Sequence, residues 1–125
     1  VDTRLVIVGE NEDARETLKS LLELDGYQVE TACDGTTGLE MIQRLKPDAA
    51  LVDVGLPDVS GHEVAEHVRS DASCDHVLLL ALTGYGQASD REAALAAGFD
   101  AHLVKPLVPD RLAELLSEKQ CSSEK

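Results

Sequence analysis

Short apolar runs alternate along the chain with segments whose apolar residues recur at helical spacing, and five such runs can be counted. They are Leu5 to Val8, Val29 to Ala32, Ala49 to Val52, Val77 to Leu82 and Ala101 to Val104. Three of the five are nearly all apolar, the pattern of strands covered on both faces of a parallel sheet. The intervening segments predict helices with recognisable ends. In the first, Asn11 is the expected N-cap, and Ala14, Leu18, Leu21 and Leu22 form the predicted buried stripe. The second starts after Asp34-Gly35 and stops before Pro47, whose ring disfavours helical geometry in the residue ahead of it. The third and fourth carry the S-x-x-E pattern of a capping box, Ser60 with Glu63 and Ser89 with Glu92. Gly98 is expected to end the fourth in a left-handed conformation. Pro109 suits the first turn of a fifth helix, with Leu112, Leu115 and Leu116 facing inward. The tail from Lys119 to Lys125 is polar and expected to fray, which leaves one folded unit over residues 1–118 and a short tail over 119–125.

Five strand–helix units of this size imply an α/β fold, a doubly wound five-stranded parallel sheet with five helices and right-handed crossovers. Ligands of such folds bind beyond the carboxyl ends of the strands. That rule directs attention to Gly9-Glu10-Asn11, Asp53 to Pro57, Thr83-Gly84 and Lys105-Pro106. These stretches bring two carboxylates (Glu10, Asp53), a hydroxyl (Thr83) and an ammonium (Lys105) to one edge. The set suits oxyanion chemistry. Carboxylate oxygens are what small, hard Mg²⁺ takes alongside water and phosphate oxygens, and a carboxylate can itself accept a phosphoryl group. Phosphoryl transfer is catalysed mainly by positioning and charge neutralisation, which a cation, a lysine and a hydroxyl supply. Each residue alone has a plainer reading: Thr83 fits a strand, Lys105 a surface, and Glu10 a helix first turn favoured by the dipole. Asp53 is the exception. A structural aspartate at that place would cap a helix, yet the next helix starts only near Ser60.

Charge narrows the partners. Eleven Lys+Arg against 24 Asp+Glu give a formal net charge of −13, which disfavours nucleic acid and anionic membrane surfaces. One Phe, two Tyr and no Trp leave little for base stacking. The longest clean apolar run, Val77 to Leu82, falls far short of the roughly 18 to 20 residues of a bilayer span, and the amino end has no signal pattern. A cytoplasmic protein is expected. Cys33, Cys74 and Cys121 are odd in number and lack C-x-x-C spacing, so they read as packing or surface thiols. His62, His67, His76 and His102 form no i, i+4 pair suited to a metal.

Jointly, the stretch Leu51-Val52-Asp53-Val54-Gly55-Leu56-Pro57 with Gly61 beyond it, Leu82-Thr83-Gly84, and Gly98-Phe99-Asp100-Ala101 running into Lys105-Pro106 resemble the receiver domains of two-component response regulators and hybrid sensor kinases. The resemblance covers Leu5 to Leu116 and implies the sheet order 2-1-3-4-5. It implies that Asp53 is the phosphoacceptor, served by a phosphohistidine on a sensor histidine kinase or histidine phosphotransfer protein. It implies that Thr83 and Lys105 contact the phosphoryl oxygens, and that the Gly55 carbonyl joins Glu10 and Asp53 around Mg²⁺. The Lys105-Pro106 bond looks like the family's cis peptide, and His102 stands where the family has a switch aromatic, though a neutral structural role suits it equally. Thr83 and His102 would then remodel the face made by the fourth helix, fifth strand and fifth helix. One departure stands out: where the family has two adjacent acids after the first strand, this chain reads Gly9-Glu10. A missing carboxylate predicts weakly bound Mg²⁺. The wording around Thr83 and Lys105 is most similar to receivers attached to hybrid sensor kinases, so an excised receiver without its own output domain is expected.

Rival readings are a degenerate receiver that binds partners without phosphorylation, and an aspartyl-phosphate phosphatase. The second needs a general acid near the nucleophile, and Gly55, two residues after Asp53, supplies none; chemistry is therefore expected to be limited to the domain's own phosphorylation and dephosphorylation. A dinucleotide fold is opposed by the acidic loop Gly9 to Asp13, which lacks G-x-G-x-x-G, and a phosphate-binding P-loop is absent. Tyr85, two residues past Thr83, is placed either to shield the acceptor or as an ordinary loop aromatic.

Overall fold

A computed structural model describes residues 3–9, 12–54, 60–74, 76–83, 88–104 and 114. In chain order these form β1 (Arg4–Val8), α1 (Glu12–Leu24), β2 (Gln28–Ala32), α2 (Gly35–Leu45), β3 (Ala49–Asp53), α3 (Gly61–Ser70), a short 3-10 turn (Ala72–Cys74), β4 (Leu78–Thr83), α4 (Ala88–Ala97) and β5 (Ala101–Val104). All strand pairs are parallel, in the order β2-β1-β3-β4-β5. Every predicted strand is present with ends shifted by no more than a residue. The fifth predicted helix falls outside the described residues except for Glu114, which is helical, and the tail from Lys119 lies outside them too.

Strand alternation explains the two-layer core. Val6, Val8, Ala50, Val52, Leu79 and Ala81 pack on one face with Ile42 of α2, Val64 and Val68 of α3, and Ala94 and Ala97 of α4. Leu5, Ile7, Ala49, Leu51, Leu80 and Leu103 pack on the other with Leu22 of α1. Both faces of the central strands are therefore removed from water, and each fully buried Leu or Val contributes roughly 1.5–3 kcal/mol. Gly38 lets α2 lie close on β1: a Cβ there would come within 2.6 Å of a Val8 methyl.

Helix ends follow local chemistry. Asp34 caps α2, its side chain accepting from the Thr37 amide, and Ser60 caps α3 by accepting from the Glu63 amide. Gly98 has φ +118°; its amide donates to the Leu95 carbonyl and that of Phe99 to the Ala94 carbonyl, the paired bonds of a left-handed C-terminal cap. Two expectations need correction. Ser89 is the second residue of α4 and does not precede it, because Ala88, the better helix former, already carries helical geometry. In α1 the stripe is rotated: Leu22 is buried and Leu18 half-buried, but Ala14 and Leu21 are exposed, while Arg15 and Lys19 turn partly inward. The predicted cap Asn11 lies outside the described residues.

Candidate functional site

The register assembles the carboxyl edge. Val8 pairs with Val52, so Gly9 and Asp53 leave neighbouring strands side by side. Asp53 pairs with Leu82, and Thr83 pairs with Val104. Asp53 is thus at the end of the central strand, half-buried, one step from the end of β4 and close to where β5 gives way to position 105. The Val54 amide donates to the Leu82 carbonyl and the Gly61 amide to the Val54 carbonyl, so the chain leaving Asp53 is held against both β4 and α3.

Gly61 makes that approach possible. A Cβ on it would sit 2.7 Å from Val54 Cα and 2.8 Å from the Asp53 carbonyl oxygen, closer than real contacts allow. On the other side of Asp53 lies Gly9. A Cβ there would find ordinary contacts, 3.7 Å to Arg15 Cγ and 3.9 Å to Asp53 Cβ. The Arg15 Nη1 group donates to the Gly9 carbonyl at 2.6 Å. Arg15 escaped the sequence reading, although Arg15, Leu18, Lys19 and Leu22 stand at helical spacing and mark the face that α1 turns inward.

His102 is half-buried on β5 between Ala101 and Leu103, which pack in the α1-side core, so alternation turns it to the opposite face. Its Nε2 is screened from water and meets no hydrogen-bonding partner among the described residues. Thr83 is in β4, at the row the prediction required. Glu10, Gly55, Tyr85, Lys105 and the Lys105-Pro106 bond lie outside the described residues, as does Cys121. Among the described residues no three His, Cys, Asp or Glu side chains gather as a metal site, and no described helix is long and apolar enough to cross a membrane.

The family model of the response regulator receiver domain matches residues 5–117. The chain belongs to that family. Receiver relatives include the response regulator MprA of Mycobacterium leprae, 39 % identical over 109 residues that cover 87 % of this chain and 47 % of MprA. The chain thus spans about half the length of the curated relatives it matches. A CheY-like receiver from Methanospirillum hungatei superposes with a TM-score of 0.86 at 29 % identity, covering 98 % of this chain and 99 % of the other. The receiver domain of sensor histidine kinase PA1611 from Pseudomonas aeruginosa, crystallised with a magnesium ion coordinated in its active-site cleft, matches with a TM-score of 0.85 at 27 % identity, covering 94 % and 97 %. The receiver's sheet order is the one the resemblance implied.

A second buried cluster lies at the amino edge of the receiver, away from Asp53. Arg69, near the end of α3, donates to the carbonyls of Gly98 (2.9 Å), Cys74 (3.3 Å) and Val77 (2.9 Å) and to the Asp100 carboxylate (2.6 Å). The same Asp100 oxygen accepts from the Leu79 amide at 2.8 Å. Asp100 stood in the sequence motif without a role, and this is its role: it joins the entry of β5 to β4 and α3. Nearby, the Ser73 hydroxyl and amide hold the Asp71 carboxyl below its ordinary range, and burial raises the Cys74 thiol.

Proposed function

We propose that this receiver is a phosphorylation switch in which Asp53 accepts a phosphoryl group from a phosphohistidine of a sensor histidine kinase or histidine phosphotransfer protein. A carboxylate oxygen of Asp53 bonds to phosphorus while the phosphorus–nitrogen bond to the donor imidazole breaks; the electron pair stays on that nitrogen, which takes a proton from solvent. Thr83 and Lys105 take the phosphoryl oxygens. The observation that carries the reading is the half-buried Asp53 carboxylate at the exit of the central strand, in register with Leu82 beside Thr83, in a chain of this family.

The donor chemistry of Asp53 fits a hard cation, and Glu10, Asp53 and the Gly55 carbonyl would hold Mg²⁺, which when bound neutralises phosphoryl charge. Support comes from the receiver of PA1611, which binds magnesium in its cleft. Gly9 contributes no carboxylate, so weak binding is expected. Phosphorylation would act through Thr83 and His102 on the face formed by α4, β5 and the segment beyond. The chemistry ends with the receiver's own phosphorylation and dephosphorylation, with no turnover of a separate substrate.

Mass spectrometry after incubation with acetyl phosphate and Mg²⁺, comparing the natural chain with Asp53→Ala, tests the proposal. One added phosphoryl group in the natural chain only is the expected result. Equal labelling of both proteins removes Asp53 from its role. Gly9 also favours a second reading, a receiver that engages partners unphosphorylated; absence of labelling and of any beryllofluoride response at millimolar Mg²⁺ would support it.

A further inference from the structure

The acid absent from position 9 has a counterpart in a cation present at position 15. Three observations converge on it. The helix α1 is turned so that Arg15 faces partly inward while Ala14 and Leu21, which the apolar pattern would bury, remain exposed. The Arg15 guanidinium is fixed at the carboxyl end of β1 by its 2.6 Å bond to the Gly9 carbonyl. The space above the Gly9 Cα is bordered by the Arg15 stem at 3.7 Å and by the Asp53 Cβ at 3.9 Å, so the arginine and the phosphoacceptor meet across the residue that has no side chain.

We infer that Arg15 is the permanent cation of the phosphoacceptor site: pinned beside Asp53, its guanidinium lowers the site's affinity for a divalent ion and shares the charge of the phosphoryl group once that is attached. The inference rests on the phosphoacceptor reading of Asp53. A guanidinium stays protonated throughout the working pH range, so the charge at this place is constant, unlike that of a metal that comes and goes. A carboxylate at position 9 would have neutralised the arginine and attracted the metal; glycine does neither. Arg15 touches neither described nor proposed donor directly, and it acts as a positioning and electrostatic residue.

The test is magnesium binding to the unphosphorylated receiver, followed by amide chemical shifts during titration with Mg²⁺ alone at low ionic strength. At a separation on the order of 7 Å in a water-like dielectric, removing a unit charge near a divalent ion strengthens binding about fivefold. Arg15→Met is therefore expected to lower the Mg²⁺ dissociation constant by about that factor, and Arg15→Lys, which keeps the charge, to stay near the natural chain. Should Arg15→Met not fold, Arg15→Gln carries the same expectation, with far-UV circular dichroism reporting the fold. Unchanged or weaker Mg²⁺ binding in the uncharged variant overturns the inference. Failure of the parent reading looks different: the natural chain would then take up no phosphoryl group, or Asp53→Ala would take up as much, whatever the magnesium titration shows.

Discussion

Replacing Arg69 by methionine keeps most of the buried stem and deletes the fork that ties α3 to the entries of β4 and β5. Four hydrogen bonds disappear: three to the carbonyls of Gly98, Cys74 and Val77 and one to Asp100, whose remaining partner is the Leu79 amide. A buried bond from a charged donor is worth about 1.5–3 kcal/mol. Here the side chain of Arg69 is 23 % exposed and that of Asp100 45 %, so the ion pair itself is discounted to under about 1 kcal/mol. The three half-buried carbonyls then decide the outcome, at about 1 kcal/mol each if water only partly replaces the guanidinium. The expected loss is about 3 kcal/mol. For a domain of this length that corresponds to a fall in Tm of roughly 10 °C. Urea unfolding followed by circular dichroism at 222 nm measures it, since the chain has no Trp. The cluster sits at the amino edge, so labelling of Asp53 per folded molecule should stay at the natural level at low temperature. Arg69→Lys should recover little, because one ammonium cannot reach three carbonyls set by different elements. A stability within about 0.5 kcal/mol of the natural chain, below the usual size of a lost buried bond, would refute the reasoning.

Gly61→Ala should cost about 2 kcal/mol through overpacking, because the new methyl meets backbone atoms of Asp53 and Val54 that have no rotamer to yield. The same shift should slow phosphorylation of Asp53 by acetyl phosphate about tenfold or more, read by Phos-tag mobility, and a rate equal to that of the natural chain would separate α3 packing from acceptor geometry. Of the two described thiols, exposed Cys33 should react with iodoacetamide at pH 7.5 while Cys74 reacts only on unfolding. Burial raises the Cys74 pKa, so less thiolate is present at that pH, and the neighbouring Asp71 charge adds to the effect; peptide mass spectrometry of the folded and urea-treated protein checks it.

The strands were legible because their signal is a property of residue type: a parallel sheet covered on both sides demands apolar runs, and Ala49 to Val52 cannot be mistaken for a polar helix face. Asp53 was legible for the converse reason, as a carboxylate left at the end of such a run with no helix to cap. Ser60 declared itself through Glu63, but the identical spacing at Ser89 misled, since a capping pattern leaves the phase of the helix start open by a residue. Arg15 and Arg69 were illegible. Their partners are mostly backbone carbonyls, which every residue carries, and Arg69 reaches as far as Gly98 and Asp100, separations at which residue type leaves no trace. The glycines fall between these cases: Gly9 announced itself as a missing acid, whereas the need for Gly61 emerges only when α3 is laid on the Asp53 backbone.

The packing of α3 and α4 differs in a way that bears on which part of the receiver can shift. At one end α3 is pressed on the Asp53–Val54 backbone through Gly61, and at the other it is locked by Arg69, with Val64, Ala65 and Val68 fully buried between. Displacing it would uncover two valines and break the polar cluster together. The buried face of α4 consists of Ala94 and Ala97, and its Leu95 is 43 % exposed. At about 0.8 kcal/mol per buried methylene-sized group, two alanines hold a helix far less firmly than that. A charge change at Asp53 that pulls on the carboxyl end of β4 therefore meets least resistance on the α4–β5 side, while α3 serves as the fixed strut against which the movement is made.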